Sequence, residues 1–396
     1  MVINQLQPYE QILPLAIIAF LLSLLLTPLV GFIAQKFKFI DLPPALRKRT
    51  DTTLEQRIHK EAKLRLGGLA VMIPFILLTL FSLKLSPQIL GILAGLGLLV
   101  IVGAIDDKYE LSGGMQFLFQ FLAAVIVVIS GVSITGISVS SLNLDFVSSS
   151  TPISLFGSVY LLRFPADLIT IIWIMTIINA LNWVGGIDAL GEGMTIIAAI
   201  AIMILGIRVG NPEIALLAAI LAGGMLGFTP FNFPPSRIMS GTAGHTGAGF
   251  LLAVLSIISG AKITSAIILL SIPLADMAWV LFNRIRQYRT INIFKLFSIS
   301  GRVHLHHRLM SLGFSAKQTL YIETSAMALI SIVALYFGDF NSSLITIVAV
   351  MASLLILFTM IAVQTRIKPK KPRQGPKEPT PPIVDTGPSP EQRYAY

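Results

Sequence analysis

Residues 89–105 read ILGILAGLGLLVIVGAI and run without a break into Asp106, Asp107, Lys108, Tyr109 and Glu110. An uncharged stretch of this length is close to what a helix needs to cross about 30 Å of hydrocarbon. Apolar runs of roughly 15 to 25 residues recur along the whole chain, each of membrane-crossing length. Hydrophobic residues make up 55% of the 396 and charged residues only 12%, about half the usual globular share. So few charges cannot build a water-facing surface, and the chain reads as an all-α polytopic membrane protein. The absence of cysteine excludes disulfides, cysteine-ligated metals and thiol catalysis. The net charge of +10 reads as a topology signal rather than as a nucleic-acid partner.

Runs and interruptions predict about eleven spans, at 11–34, 66–83, 89–105, 115–139, 166–181, 194–207, 213–228, 247–259, 263–283, 319–337 and 343–363. The first is read as a retained helix, because Glu10 precedes it without a basic leader and no small-residue cleavage site follows. With this count, twenty-five of the 29 Lys and Arg fall on one side. The positive-inside rule then places the N-terminus outside and the C-terminus in the cytoplasm. Residues 140–165, rich in Ser and β-branched side chains, form the long external loop and favour a small hairpin. The membrane domain is expected over 1–364. Residues 365–396, rich in Pro and charge, read as a disordered basic cytoplasmic tail touching anionic membrane lipids.

Five polar clusters carry chemistry. Adjacent carboxylates at Asp106 and Asp107 repel unless a cation or proton relieves them, and a hard cation such as Mg²⁺ takes oxygen ligands and bridges to phosphates. In NALNWVGGIDALGEG, Asn179 and Asn182 share a helix face, and Asp188 follows a Gly185–Gly186 break that admits a bound group to the backbone. In FTPFNFPPSRIMSGTAGHTGAG, Pro234 and Pro235 stop a helix, and Gly241, Gly244 and Gly247 lead into another as a phosphate cradle near Arg237. GRVHLHHRLMSLGFS sets His304, His306 and His307 between Arg302 and Arg308, a pattern that favours a diphosphate over a second cation. IHKEAKLRLGG carries His59, Lys60, Lys63 and Arg65 into a glycine-led helix start. Each has an ordinary alternative: a solvated helix end, amides satisfying nearby carbonyls, a common glycine turn, a basic juxtamembrane loop. All five nevertheless share one membrane face in a topology derived without them. Together they describe a cytoplasm-facing site for a metal and a polyanion at the lipid boundary.

These residues resemble the superfamily of polyprenyl-phosphate N-acetylhexosamine-1-phosphate transferases and phospho-MurNAc-pentapeptide translocase, glycosyltransferase family 4. The likeness runs from about Asp41 to Phe314 through RIHKEAKLRLGG, GAIDDKYEL, NALNWVGGIDAL and HLHHRLMSLGFS. It implies Mg²⁺-dependent transfer of N-acetylhexosamine 1-phosphate, GlcNAc-1-phosphate first among the options, from a UDP-sugar to polyprenyl (undecaprenyl) phosphate. UMP is released, as the first membrane step of cell-envelope glycan synthesis. Carried onto this chain, it makes Asp106, Asp107 and Asp188 catalytic, and Asp106, Asp107, Asp188 and Thr242 the metal set. Substrate binding would fall to His59, Lys60, Arg65, Asn179, Asn182, Arg302, His304, His306 and His307. A multi-pass protein of the plasma (inner) membrane is implied, its active site facing the cytoplasm, with homodimerisation left open.

The chain departs from the family pattern each time by losing an acid: Gly185, Thr242 and Gly301 stand where the pattern has Asp. A rival reading is therefore a catalytically impaired homologue that binds lipid phosphate or sugar nucleotide. A third is a secondary transporter, for which Asp276 in the ninth span is the candidate intramembrane acid.

Overall fold

The computed structural model describes residues 8–42, 61–139, 142–155, 158–259, 269–292 and 303–337, together with 267, 296 and 297. After a 3₁₀ turn at Pro8–Gln11, the helices are α1 (Ile12–Lys36), α2 (Leu69–Ser82), α3 (Pro87–Tyr109) and α4 (Gly113–Ile129). They continue with α5 (Ala166–Val184), α6 (Leu190–Arg208), α7 (Pro212–Asn232) and α8 (Gly241–Ile258). Last come α9 (Ser271–Tyr288), the seven-residue α10 (Leu305–Ser311) and α11 (Ala316–Phe337). Seven of the described helices are long and apolar enough to cross a membrane, and α2 and α4 are shorter apolar helices. The expected span at 343–363 and the tail at 365–396 lie outside the described residues.

The chain is not wholly helical. Among the described residues three two-stranded antiparallel ladders interrupt it: β1 (Ile40–Asp41) with β2 (Lys63–Leu64), β3 (Gly136–Val139) with β4 (Leu142–Asp145), and β5 (Val147–Leu155) with β6 (Ser158–Pro165). The loop expected over 140–165 to hold a small hairpin holds the β5–β6 hairpin and also β4, whose partner β3 lies just before it. The helix expected over 115–139 stops at Ile129, because Gly131 adopts φ +99° and turns the chain out of the helix. The β-branched residues beyond it then pair as strand.

Helix ends are set locally. Ser86 caps α3, its hydroxyl accepting from Ile89 N at 3.3 Å, with Pro87 in the first turn. Asn211 and Pro212 start α7 in the same way.

Packing follows membrane logic. Leu13, Ile17, Leu21, Leu25, Leu29 and Phe32 of α1 are exposed, while Ser23 and Thr27 are buried. Thr27 Oγ1 donates to Ser23 O at 2.7 Å, so the inward hydroxyl is satisfied within its own helix. Small residues let backbones meet: a Cβ at Gly223 or Gly227 of α7 would lie 2.2 Å from the carbonyl oxygen of Ala16 or Phe20 of α1. At the centre, α8 is covered by α3, α5 and α6, and Phe250 to Leu255 have no exposed surface. Gly103 of α3 abuts Ala243, and Gly249 of α8 abuts Ile178 of α5. These close crossings bring the end of α3 against the start of α8.

Gly223→Ala should therefore lower thermal stability in detergent by roughly 1–3 kcal/mol, the cost of overpacking a tight contact. Gly97→Ala, on a face with nothing within 4 Å, should leave the melting temperature unchanged or raise it slightly.

Candidate functional site

A short basic strand organises the site. Arg65 N donates to Phe39 O at 2.9 Å beside the β1–β2 ladder, and on the other edge Met239 N donates to Leu64 O at 2.8 Å. The strand is thus laced between the end of α1 and the linker from α7 to α8. Side chains alternate along a strand, so Lys63 and Arg65 share one face. Lys63 Nζ donates to both carboxylate oxygens of Asp188, at 2.7 and 2.6 Å, and to Ser236 Oγ at 2.8 Å. Ser236 N also donates to Asp188, at 3.1 Å. Arg65 Nε lies 3.2 Å from Asp107 Oδ1, an ion pair rather than an aligned hydrogen bond.

Asp106 and Asp107 close the last turn of α3 and are 4% and 3% exposed, so they do not form a solvated helix end. Asp106 Oδ1 accepts from Leu111 N at 2.8 Å and Gln116 Nε2 at 2.9 Å, and its Oδ2 accepts from Thr242 Oγ1. Asp107 Oδ1 accepts from Thr242 N at 2.8 Å, leaving Oδ2 buried without a hydrogen-bond partner. Gly241 has φ +72°, and a Cβ there would lie 2.2 Å from Asp107 Oδ2. Glycine is required at 241 by conformation and by the approach of this carboxylate. Gly244 and Gly247 serve packing instead, against Gly68 and against Met72 with Leu96. The glycines expected as a phosphate cradle thus admit neighbouring protein atoms in this structure.

The Gly185–Gly186 break is likewise filled from within. A Cβ at Gly186 would lie 2.6 Å from His306 Nε2, and one at Gly185 would lie 2.3 Å from the ring of His245. His245 Nε2 is 3.1 Å from Glu192 Oε1. Beside this turn a cavity of about 240 Å³ is lined by Lys63, Gly186, Asp188, Pro234, Pro235 and Lys317.

The histidine loop is anchored by Asp276 on α9. Asp276 Oδ2 pairs with His304 Nδ1 at 2.7 Å, and its Oδ1 accepts from Leu305 N at 2.6 Å. This clamp starts α10 and occupies the acid that a transporter would need free. His304 stacks on His306 with rings 5.4 Å apart, and His307 follows at 4.4 Å from His306. Burial, then the neighbouring His307 and His304, hold His306 well below the usual imidazole range.

The structure therefore gathers Asp106, Asp107, Thr242 and Arg65, and separately Asp188 with Lys63 and the cavity. Among the described residues no three His, Asp or Glu side chains form a metal-binding group. Asp188, expected in the metal set, pairs here with Lys63, because strand pairing delivers that ammonium directly to it. Asn179 is buried, its amide donating to Gln120 Oε1 at 2.6 Å and Met175 O at 2.8 Å, so it ties α5 to α4. Asn182 is half-buried and has no side-chain partner among the described residues. His59, Lys60, Gly301 and Arg302 lie outside the described residues. Sequence reasoning missed Gln116, Glu192, Ser236 and the pairing role of Lys63. The one available signal was Lys63 standing two residues from Arg65, a spacing that becomes meaningful only on a strand.

The glycosyl transferase family 4 profile matches residues 89–260, which hold the acid pair, the α5–α6 turn and α8. The chain is 28% identical over 317 residues, 77% of this chain and 80% of the other, to a probable undecaprenyl-phosphate N-acetylglucosaminyl 1-phosphate transferase of Bacillus subtilis. It is 23% identical to a decaprenyl-phosphate N-acetylglucosaminephosphotransferase of Mycobacterium leprae, over 87% of this chain and 88% of that one. An undecaprenyl-phosphate alpha-N-acetylglucosaminyl 1-phosphate transferase of Yersinia pestis is 26% identical, over 79% and 81% respectively.

The neutral, buried His306 sets a pH dependence. An unfolded imidazole takes up a proton near pH 6.5, whereas the folded ring resists it. Below that pH the unfolded state binds more protons, so stability is lost as pH falls. The melting temperature should drop between about pH 7.5 and 5.5, and His306→Gln should flatten that slope in the same thermal scan.

Proposed function

We propose that the chain is a member of glycosyl transferase family 4, as the profile match and the curated relatives support, and that it transfers N-acetylglucosamine 1-phosphate from a UDP-sugar to polyprenyl phosphate, releasing UMP. An oxygen of the acceptor phosphate attacks the phosphorus that bears the sugar, and the bond from that phosphorus to the uridine-bearing phosphate breaks. The observation that carries this reading is the buried Asp106–Asp107 pair meeting a basic strand and a cavity at one end of an apolar helix bundle. There a lipid phosphate and a water-soluble donor can meet. Phosphoryl transfer asks for positioning and charge neutralisation more than covalent chemistry, and this chain's residues are of that kind.

Asp106, Asp107 and the Thr242 hydroxyl offer hard oxygen donors, and the unpartnered Asp107 Oδ2 leaves one buried lone-pair site open, so the set fits Mg²⁺. When bound, Mg²⁺ would neutralise charge on the donor's diphosphate. Lys63, which lines the cavity with Lys317, and Arg65, which faces Asp107, would offer positive charge to an incoming phosphate, and Asp188 at the cavity would orient the nucleotide. The resemblance would give Asn182, His304, His306, His307 and Arg302 the grip on the diphosphate or sugar. We place this face in the cytoplasm of a plasma (inner) membrane, with eleven spans, the N-terminus outside and a cytoplasmic tail. The basis is the charge bias of the loops.

One observation favours the impaired-homologue reading: Asp188 and Asp107 both carry basic partners, and positions 185 and 242 are neutral. Purified protein given radiolabelled UDP-N-acetylglucosamine and undecaprenyl phosphate separates the two. The transferase reading expects labelled lipid and UMP with Mg²⁺, none with EDTA, and a fall of at least about 100-fold in kcat for Asp107→Asn. Retained donor binding without product from any UDP-sugar would select the homologue that binds without turnover.

A further inference from the structure

Three glycines surround the α5–α6 junction, and two imidazoles occupy the room they leave. The ring of His245 is wedged between Gly185 and Gly191. A Cβ at Gly185 would stand 2.3 Å from its Cε1 and 2.6 Å from its Nδ1, and a Cβ at Gly191 would stand 3.0 Å from its Cδ2 and Nε2. Its Nε2 reaches Glu192, a carboxylate only 2% exposed in the first turn of α6. Among the described residues this imidazole is the hydrogen-bond partner of Glu192. The ring therefore touches both a buried acid, through Nε2, and the turn that leads to Asp188, through Cε1 and Nδ1.

This arrangement bears on an acid the chain lacks. A side chain at position 185 would have to enter the space His245 fills, so a carboxylate there and the imidazole exclude each other. A buried carboxylate stands instead at Glu192, on the Nε2 of the same ring, next to the Cε1 that position 185 approaches. We propose that Glu192, acting through His245, supplies the negative charge that position 185 does not carry, and that His245 is a positioning residue for the 185–188 turn and hence for Asp188. His245 also lies three residues after Thr242, on the same face of α8. The start of that helix thereby holds the Asp106–Asp107 pair and the Asp188 turn in one frame. The inference rests on the transferase reading above, and it assigns a role to two residues that reading leaves idle.

The test is an exchange of charge between the two positions. His245→Ala should lower kcat by about 100-fold, the scale expected when a reacting group is misplaced by about 1 Å, with KM for the UDP-sugar changed less than about threefold. His245→Gln, which can still donate to Glu192, should retain most of the activity, an outcome a purely space-filling role would not require. Gly185→Asp alone should also be impaired, because the new side chain meets the ring. Combining Gly185→Asp with His245→Ala clears the slot and returns an acid to it. The double variant should be at least about tenfold more active than the product of the single effects, the coupling expected of groups in contact. Additive losses would overturn the proposal, as would equal activity of the Ala and Gln variants. If wild type makes no product, the transferase reading fails separately. The same four-way cycle is then read as UMP and UDP-N-acetylglucosamine affinity by calorimetry, where coupling upholds the exchange and additivity overturns it.

Discussion

The site depends on one constraint: carboxylates buried at the end of an apolar bundle must each be given a partner. Asp106, Asp107, Glu192 and Asp276 are all under 5% exposed. Asp106 takes a backbone amide, Gln116 and Thr242; Asp107 takes Thr242 N and Arg65; Glu192 takes His245; Asp276 takes His304 and Leu305 N. Apart from Leu111 and Gln116, which lie close to Asp106 in the chain, these partners come from segments far apart in sequence. Satisfying the acids is thus what brings the β2 strand, the start of α8 and the histidine loop to one place.

The scaffold that permits this is inverted relative to a soluble protein. Leucine and phenylalanine face outward on α1, while hydroxyls and small residues face inward. Without a hydrophobic drive between helices in lipid, close contact comes from shape. Gly103 against Ala243 is the crossing that matters for chemistry, because it seats the end of α3 on the start of α8. A larger residue there would separate Asp106 from Thr242.

Glycine in this chain marks where another side chain or backbone passes, more than where a ligand does. Gly241 clears Asp107, Gly185 clears His245 and Gly186 clears His306. Read from sequence, the same residues suggested a backbone opened toward a phosphate, since glycine permits both outcomes and local sequence does not distinguish them. The neutral replacements at Gly185 and Thr242 likewise look like losses in one dimension. In space, Thr242 bridges both carboxylates of the pair through its hydroxyl and its backbone N–H, and the slot at Gly185 is filled by a ring tied to another acid.

Sequence by itself determined the class of molecule, the approximate place of most described helices and the residues that carry charge. Apolar run length is dictated by bilayer thickness, and charge at run ends is dictated by the cost of burying it. It also predicted that acids, amides, glycines and histidines share one face. Tertiary structure alone decided who meets whom: that Lys63 takes Asp188 while Arg65 takes Asp107, that Asn179 belongs to Gln120, and that Asp276 serves the histidine loop. Those pairings join residues from 28 to 125 positions apart. No local periodicity encodes them, because they arise only when tight helix crossings and a two-residue strand bring buried charges within reach of each other.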